Sequence, residues 1–155
     1  MNAAAELSHR FDDILDRLLK TTAATRTTFR LDDPTLGFRV DDVAGEARLG
    51  HAKSLRGQTA MKQRELSTVQ WMELNRKPLI QSDLATSAIA APPALIAIYG
   101  VQAQMLGPVI RRGAMQGWVS VHFCDGPRDW SDTDKAALDH AVREVADALD
   151  AAEAA

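Results

Sequence analysis

The chain has 155 residues, 46% of them hydrophobic and 25% charged, which is enough to bury one core and too little for several. Its net charge of −3 and pI near 5.8 exclude a chain whose main work is gripping phosphate backbones, because such affinity rests on clustered Lys and Arg. The single cysteine, Cys124, excludes an internal disulfide framework and a multi-cysteine zinc cage, and fits a reducing cytoplasm.

In chain order, Leu7, Phe11, Ile14, Leu15, Leu18 and Leu19 recur at helical spacing, so residues 6–20 predict an amphipathic opening helix. Acidic residues interrupt this stretch, which therefore does not read as a signal peptide. From Thr25 the pattern becomes β-branched and alternating: RTTFRL, a turn signal DDPTLG, then FRVDDV, predicting an antiparallel hairpin. Residues 45–57 read as a loop or a short strand leaving that hairpin. Residues 59–76 predict a helix with two apolar stripes, Leu66, Val69 and Met72 on one and Trp71 and Leu74 on its neighbour. Lys77-Pro78 ends it, and PLIQSDL reads as a short strand.

Residues 85–100, ATSAIAAPPALIAIYG, are apolar and split by Pro92-Pro93, which predicts short helical turns over a cavity; the apolar run is also too short to span a bilayer. Next comes a strand with Val101, Ala103 and Met105 on one face and Gln102, Gln104 and Leu106 on the other, stopping at Gly107-Pro108 and continuing loosely to the turn RRGAMQG. The strand WVSVHF sends Val119, Val121 and Phe123 one way and Trp118, Ser120 and His122 the other. Ser131 with Asp134 forms a capping pair opening a last helix over 131–150, with Leu138, Ala141, Val142, Val145 and Leu149 as its stripe and residues 151–155 as a flexible tail.

This element order resembles the GAF domain, a small-molecule-sensing relative of the PAS fold. The residues that carry the resemblance are RTTFRLDD, NRKPLIQSDL, MLGPVIRRGAMQGWVSVH and PRDWSDTDKAALDHAVREVADAL. It implies an α+β, profilin-like architecture over residues 1–155 as one domain: a central antiparallel sheet of five or six strands, terminal helices on one face, and a ligand cleft under a helix and lid on the other. It also implies pairing into a homodimer through the terminal helices. With no output domain attached, a stand-alone cytoplasmic sensor module is expected, taking a polar or anionic organic metabolite and neither nucleic acid nor membrane.

Within that cleft the candidate ligand contacts are Trp118, Ser120 and His122, with Gln102, Gln104, Tyr99 and Trp71 as further lining; ordinary core packing is the competing reading for each. A bound carboxylate would find partners in the loop holding His51, Lys53 and Arg56, or at Arg26, Arg30 and Arg39. His122 and Cys124 are the only pair that begins to look catalytic, and a small metabolic enzyme with His122 as acid or base is the alternative function; a ligand-free scaffold is the third. Free methionine sulfoxide reductases of this fold depend on several cysteines, and bilin-binding relatives attach pigment at a cysteine–histidine pair, whereas here the order is His122-Phe123-Cys124. No cofactor is expected, with His122 and His51 the imidazoles open to a haem. No metal site is expected: Asp32-Asp33 and Asp41-Asp42 read as turn-stabilising pairs, and Arg111-Arg112 as a solvated turn.

Overall fold

The computed structural model describes residues 2–155. Its elements are α1 (Ala3–Thr22), β1 (Arg26–Leu31), β2 (Gly45–Arg48), α2 (Ser67–Asn75), β3 (Leu79–Gln81), α3 (Pro93–Ala97), β4 (Ala103–Arg111), β5 (Ala114–Phe123) and α4 (Asp132–Ala154). The strands form one antiparallel sheet in the order β2-β1-β5-β4-β3.

α1 starts where the Asn2 side chain accepts from Ala5 N and stops at Ala23, which takes the left-handed region at φ 50°. All six apolar residues of its stripe are buried. α4 opens on a complete capping box, Ser131 Oγ accepting from Asp134 N and the Asp134 carboxylate accepting from Ser131 N. Both helices lie on one face of the sheet, where Leu15, Phe11, Leu138 and Val145 pack against Phe29, Met105, Val119 and Val121. Phe11 and Phe29 meet edge to face at 4.8 Å. Gly107 lets α4 approach, because a Cβ there would stand 2.8 Å from Val142 Cγ2.

Four boundaries and one side chain differ from the sequence expectation; one boundary is the end of α4, which runs to Ala154 through residues expected as a tail. FRVDDV is not the second strand; it is loop, its backbone held by carboxylates, and β2 begins later, at Gly45. A Cβ at position 45 would lie 2.8 Å from Phe11 Cβ, so a glycine is what allows that strand to pass beneath α1. Residues 59–66 are not helical apart from a single turn at Gln63–Glu65. Gln63 N donates to Asp41 Oδ1, and Arg64 donates to Asp32 Oδ2 and Met115 O, tying this stretch to the neighbouring loops. β4 does not stop at Gly107-Pro108 but runs to Arg111. Pro108 is tolerated because β3 pairs only as far as Leu106, leaving that stretch of β4 an open edge. Finally, Arg111 is not a solvated turn residue: its buried guanidinium pairs with Asp150, Glu153 and Gln116.

Candidate ligand-binding site

Period-two alternation divides each strand between two environments. Opposite the helices, β1 presents Arg26, Thr28 and Arg30, β5 presents His122, Ser120 and Trp118, and β4 presents Gln104 and Leu106. The register sets these side by side in rows: Arg26–His122–Gln104–Gln81, Thr28–Ser120–Leu106–Leu79, and Arg30–Trp118–Pro108. Cross-strand neighbours of this kind stand about 5 Å apart, close enough to share one small ligand.

A cavity of about 210 Å³ lies over this face. Its floor is Thr28, Arg30, Gln104, Trp118, Ser120 and His122; α2 contributes Thr68 and Val69 from its first turn with Leu66 at its N-cap; and the lid closes it with Leu95, Ile98 and Tyr99. No aspartate or glutamate lines it among the described residues. The lid is tethered to the sheet by Gln81, whose Nε2 donates to Ser87 Oγ and Ile89 O, each at 2.7 Å. It also carries exposed apolar side chains, Ile98 at 54% and Ile96 at 39% exposure, so its outer surface is only loosely committed to the fold.

The electrostatics follow from burying cations without paired anions. Arg26 is fully buried; it donates through Nε to Lys53 O, places Nη1 3.1 Å from His122 Nδ1, and stacks over Tyr99 with 5.5 Å to the ring centroid. Its Nη2 is buried without a partner. Burial pushes Arg26 below its ordinary range, with Cys124 and Glu46 opposing. Burial likewise brings Arg30 down to about 10, partly offset by Asp42, Asp41 and Glu46, so both guanidiniums are charged at neutral pH. His122 is held well below its ordinary value, first by burial and then by Arg26 and Arg30, and is therefore a neutral imidazole.

Of the residues singled out from sequence, Trp118, Ser120, His122, Gln104 and Tyr99 lie together at this cavity. Two do not. Gln102 is exposed and donates to Cys124 O, because β4 begins only at Ala103 and the chain at 102 has already left the sheet's inner face. Trp71 is half-buried against the cluster of Val69, Met72 and Leu79 with Lys77 over its ring and does not reach the cavity lining, while Leu74 of the same stripe is 83% exposed. Sequence reasoning passed over Thr28 and Thr68, although the alternation of RTTFRL already groups Thr28 with Arg26 and Arg30.

The other candidates separate as well. Cys124 lies outside the cavity lining with Sγ donating to Tyr99 O at 3.4 Å, so the residues present do not fit a thiol attachment to a ligand in the cavity. His51 is exposed in its loop and does not converge with His122. Arg56 of the same loop is paired with Asp12 at 2.6 Å. The aspartate pairs hold loops together: Asp32 accepts from Val40 N, Asp33 from Leu36 N, Asp41 from Gln63 N, and Asp42 from Val43 N and Gly57 N. No group of three or more His, Cys, Asp or Glu converges among the described residues. No described helix is long and apolar enough to cross a membrane.

A five-stranded antiparallel sheet with the chain termini helical on one face and a lidded cavity on the other is an α+β architecture. The GAF domain family model matches residues 6–149, and the chain belongs to that family. Among solved structures it is similar to the GAF domain of PixJ from Thermosynechococcus elongatus in its blue-light-absorbing form, at 14% identity over 96% of this chain and 86% of that one, TM-score 0.72. It is equally similar to the red/green cyanobacteriochrome NpR6012g4 in its green-light-absorbing state, at 16% identity over 96% of each chain, TM-score 0.73. A type II free methionine-R-sulfoxide reductase from Thermoplasma acidophilum follows at 10% identity, 96% and 95% coverage and TM-score 0.70. At these identities the likeness is one of fold. No curated protein matches the chain in sequence.

Proposed function

We propose that this GAF domain is a small-molecule sensor module whose ligand, a polar or anionic organic metabolite, occupies the cavity between the sheet and the lid. The observation that carries this reading is a buried polar floor under a lid in which the Thr28 hydroxyl has no partner: a fold without a ligand gains nothing by holding that group out of water. Ligand occupancy would be read out through residues 88–99, because the hydrogen bonds of Gln81 join that segment to Gln104 on the floor. Homodimerisation through α1 and α4 belongs to the same reading. What supports it is a groove between these helices lined by Ile14, Leu18, Ala136 and Ala137, with Arg17 and Glu144 paired to each other beside it, apolar surface that a second copy would cover.

The reading is tested by thermal unfolding in the presence of metabolites of all charge classes. A true ligand at a hundred times its Kd stabilises by about 2.7 kcal/mol. A melting temperature that stays constant across anionic, neutral and cationic compounds sinks the proposal, and a sedimentation profile that is monomeric at high concentration removes the dimer. Turnover by His122 as acid or base has less support, since that imidazole is neutral, buried and engaged at Nδ1.

A further inference from the structure

The donor and acceptor pattern of the cavity is fixed from its two ends. Arg26 has only donors to offer, so His122 Nδ1 is the acceptor of the 3.1 Å contact between them. A neutral imidazole that accepts at Nδ1 carries its proton on Nε2. On the far side, Ile89 O can only accept, so the amide nitrogen of Gln81 is the atom turned toward it. Gln81 Oε1 then faces Gln104 Nε2 at 2.7 Å, and the polar atom that Gln104 has left is its acceptor, Oε1. One wall of the cavity thus offers a donor, His122 Nε2–H, beside an acceptor, Gln104 Oε1, on directly paired residues.

The other end is cationic. Arg30 spends Nη1 on Val40 O and is a lining residue of the cavity. α2 begins beside it at Leu66 and Thr68 with no side-chain cap, and its first satisfied amide is Gln70 N, leaving the amides of residues 67–69 without partners among the described residues. Between the two ends sits Thr28, 1% exposed, whose hydroxyl has no partner. Glu46, paired with Thr28 across β1 and β2, offsets the charge of this end only in part and does not line the cavity, its carboxylate accepting from Ser54 Oγ and Leu55 N.

We infer that the ligand is a monoanionic carboxylate whose other end is an amide or a hydroxyl. The carboxylate sits against Arg30, the Thr28 hydroxyl and the N-terminus of α2. The amide or hydroxyl accepts from His122 Nε2–H and donates to Gln104 Oε1, and the apolar body lies under Leu95 and Ile98. An ammonium is excluded at the polar end, since two buried guanidiniums repel it and no carboxylate pairs with it. A dianion is disfavoured at the other, where a single guanidinium supplies the full positive charge. Rows 26 and 30 of β1 are about 13 Å apart along the strand, which with side chains reaching inward leaves room for a chain of about four to six carbons. This inference rests on the reading of the cavity as the ligand site.

The test is calorimetric titration and thermal unfolding with succinamate, glutaramate and 5-hydroxypentanoate, against 5-aminopentanoate, glutarate, pentanoate and pentanamide. The first three are expected to bind and to bind at least about tenfold more tightly than the comparators. Arg30→Met is expected to weaken them by at least about tenfold. Thr28→Val is expected to weaken them while raising the melting temperature of the ligand-free protein by about 2–4 °C, because valine fills the same space without an orphaned hydroxyl. Should Arg30→Met fail to fold, Thr28→Val decides alone. Binding of the aminopentanoate or of the uncharged pentanamide at equal strength overturns the inference and leaves the cavity reading standing. Failure of compounds of every charge class to bind overturns both.

Discussion

The two faces of the sheet are made by the same strands and differ in every other respect. Toward α1 and α4, Phe29, Met105, Val119 and Val121 are buried among apolar side chains with their volume filled. Toward the lid, residues one position away along the same strands are as thoroughly buried, yet beside Trp118 and Leu106 they are arginine, threonine, serine, histidine and glutamine. Burial on the first face stabilises the fold through removal of apolar surface from water. Burial on the second opposes folding unless each polar group finds a partner, and two atoms among the described residues have none. The contrast places the larger apolar core on one face, and on the other a smaller apolar cluster beside a polar floor.

The comparison breaks first if the helix-covered face is not dominant. Phe29→Ala removes a ring with no exposed surface that packs edge to face on Phe11, and is expected to cost about 3–5 kcal/mol. Urea unfolding measures it. A loss below about 1 kcal/mol would mean that this face is not where the stability resides.

A smaller effect is expected on the polar face, of a different kind. Gln104→Leu adds apolar surface but leaves Gln81 Oε1 buried without its donor, so a cost of about 1–3 kcal/mol is expected in spite of the gain in hydrophobicity. Because Gln81 also holds Ser87 and Ile89, faster amide exchange should appear in residues 85–92 and not in α1. Equal exchange in both regions would show that the amide chain does not couple floor to lid.

Much of the helix-covered face was legible in the sequence, because its elements obey one period each. The α1 stripe, the valine side of β5 and the Ser131–Asp134 cap are local patterns whose physics is complete within a few residues. What the pattern misplaced depended on distant partners. The alternation in FRVDDV looks like a strand, but Asp32 and Asp42 supply the hydrogen bonds that a neighbouring strand would have given. The start of α2 moved because Arg64 and Gln63 are anchored to Asp32 and Asp41, more than twenty residues away. On the lid-side face, alternation grouped Trp118, Ser120 and His122 correctly as one side of a strand. It placed Gln102 with Gln104 only because the strand's first residue was unknown, and it could not weigh Thr28, whose interest is that it lacks a partner, a property no sequence displays.

The most discriminating of the smaller effects is the pH dependence, since it isolates the cost of one buried group. His122 has a folded pKa well below its ordinary value of 6.5, lowered by burial, Arg26 and Arg30. The charged groups facing it are those two β1 arginines; Gln104 on β4 and Tyr99 from the lid are uncharged neighbours. Below pH 6.5 the unfolded chain takes up a proton that the folded chain refuses. Stability therefore falls with falling pH, by about 1.4 kcal/mol per pH unit, until the folded pKa is reached; above pH 6.5 this contribution is flat. Glu153, held at about 2 by its hydrogen bonds to Arg112 and Arg111, titrates outside this window. Urea unfolding at pH 7.5, 6.5 and 5.5 is expected to give the wild type a loss that His122→Gln lacks, and only the difference between the two is attributable to this imidazole. Parallel profiles for the two proteins would mean that His122 can be protonated in place. Its proton would then no longer be confined to Nε2, and the donor-beside-acceptor wall with Gln104 would have to be redrawn.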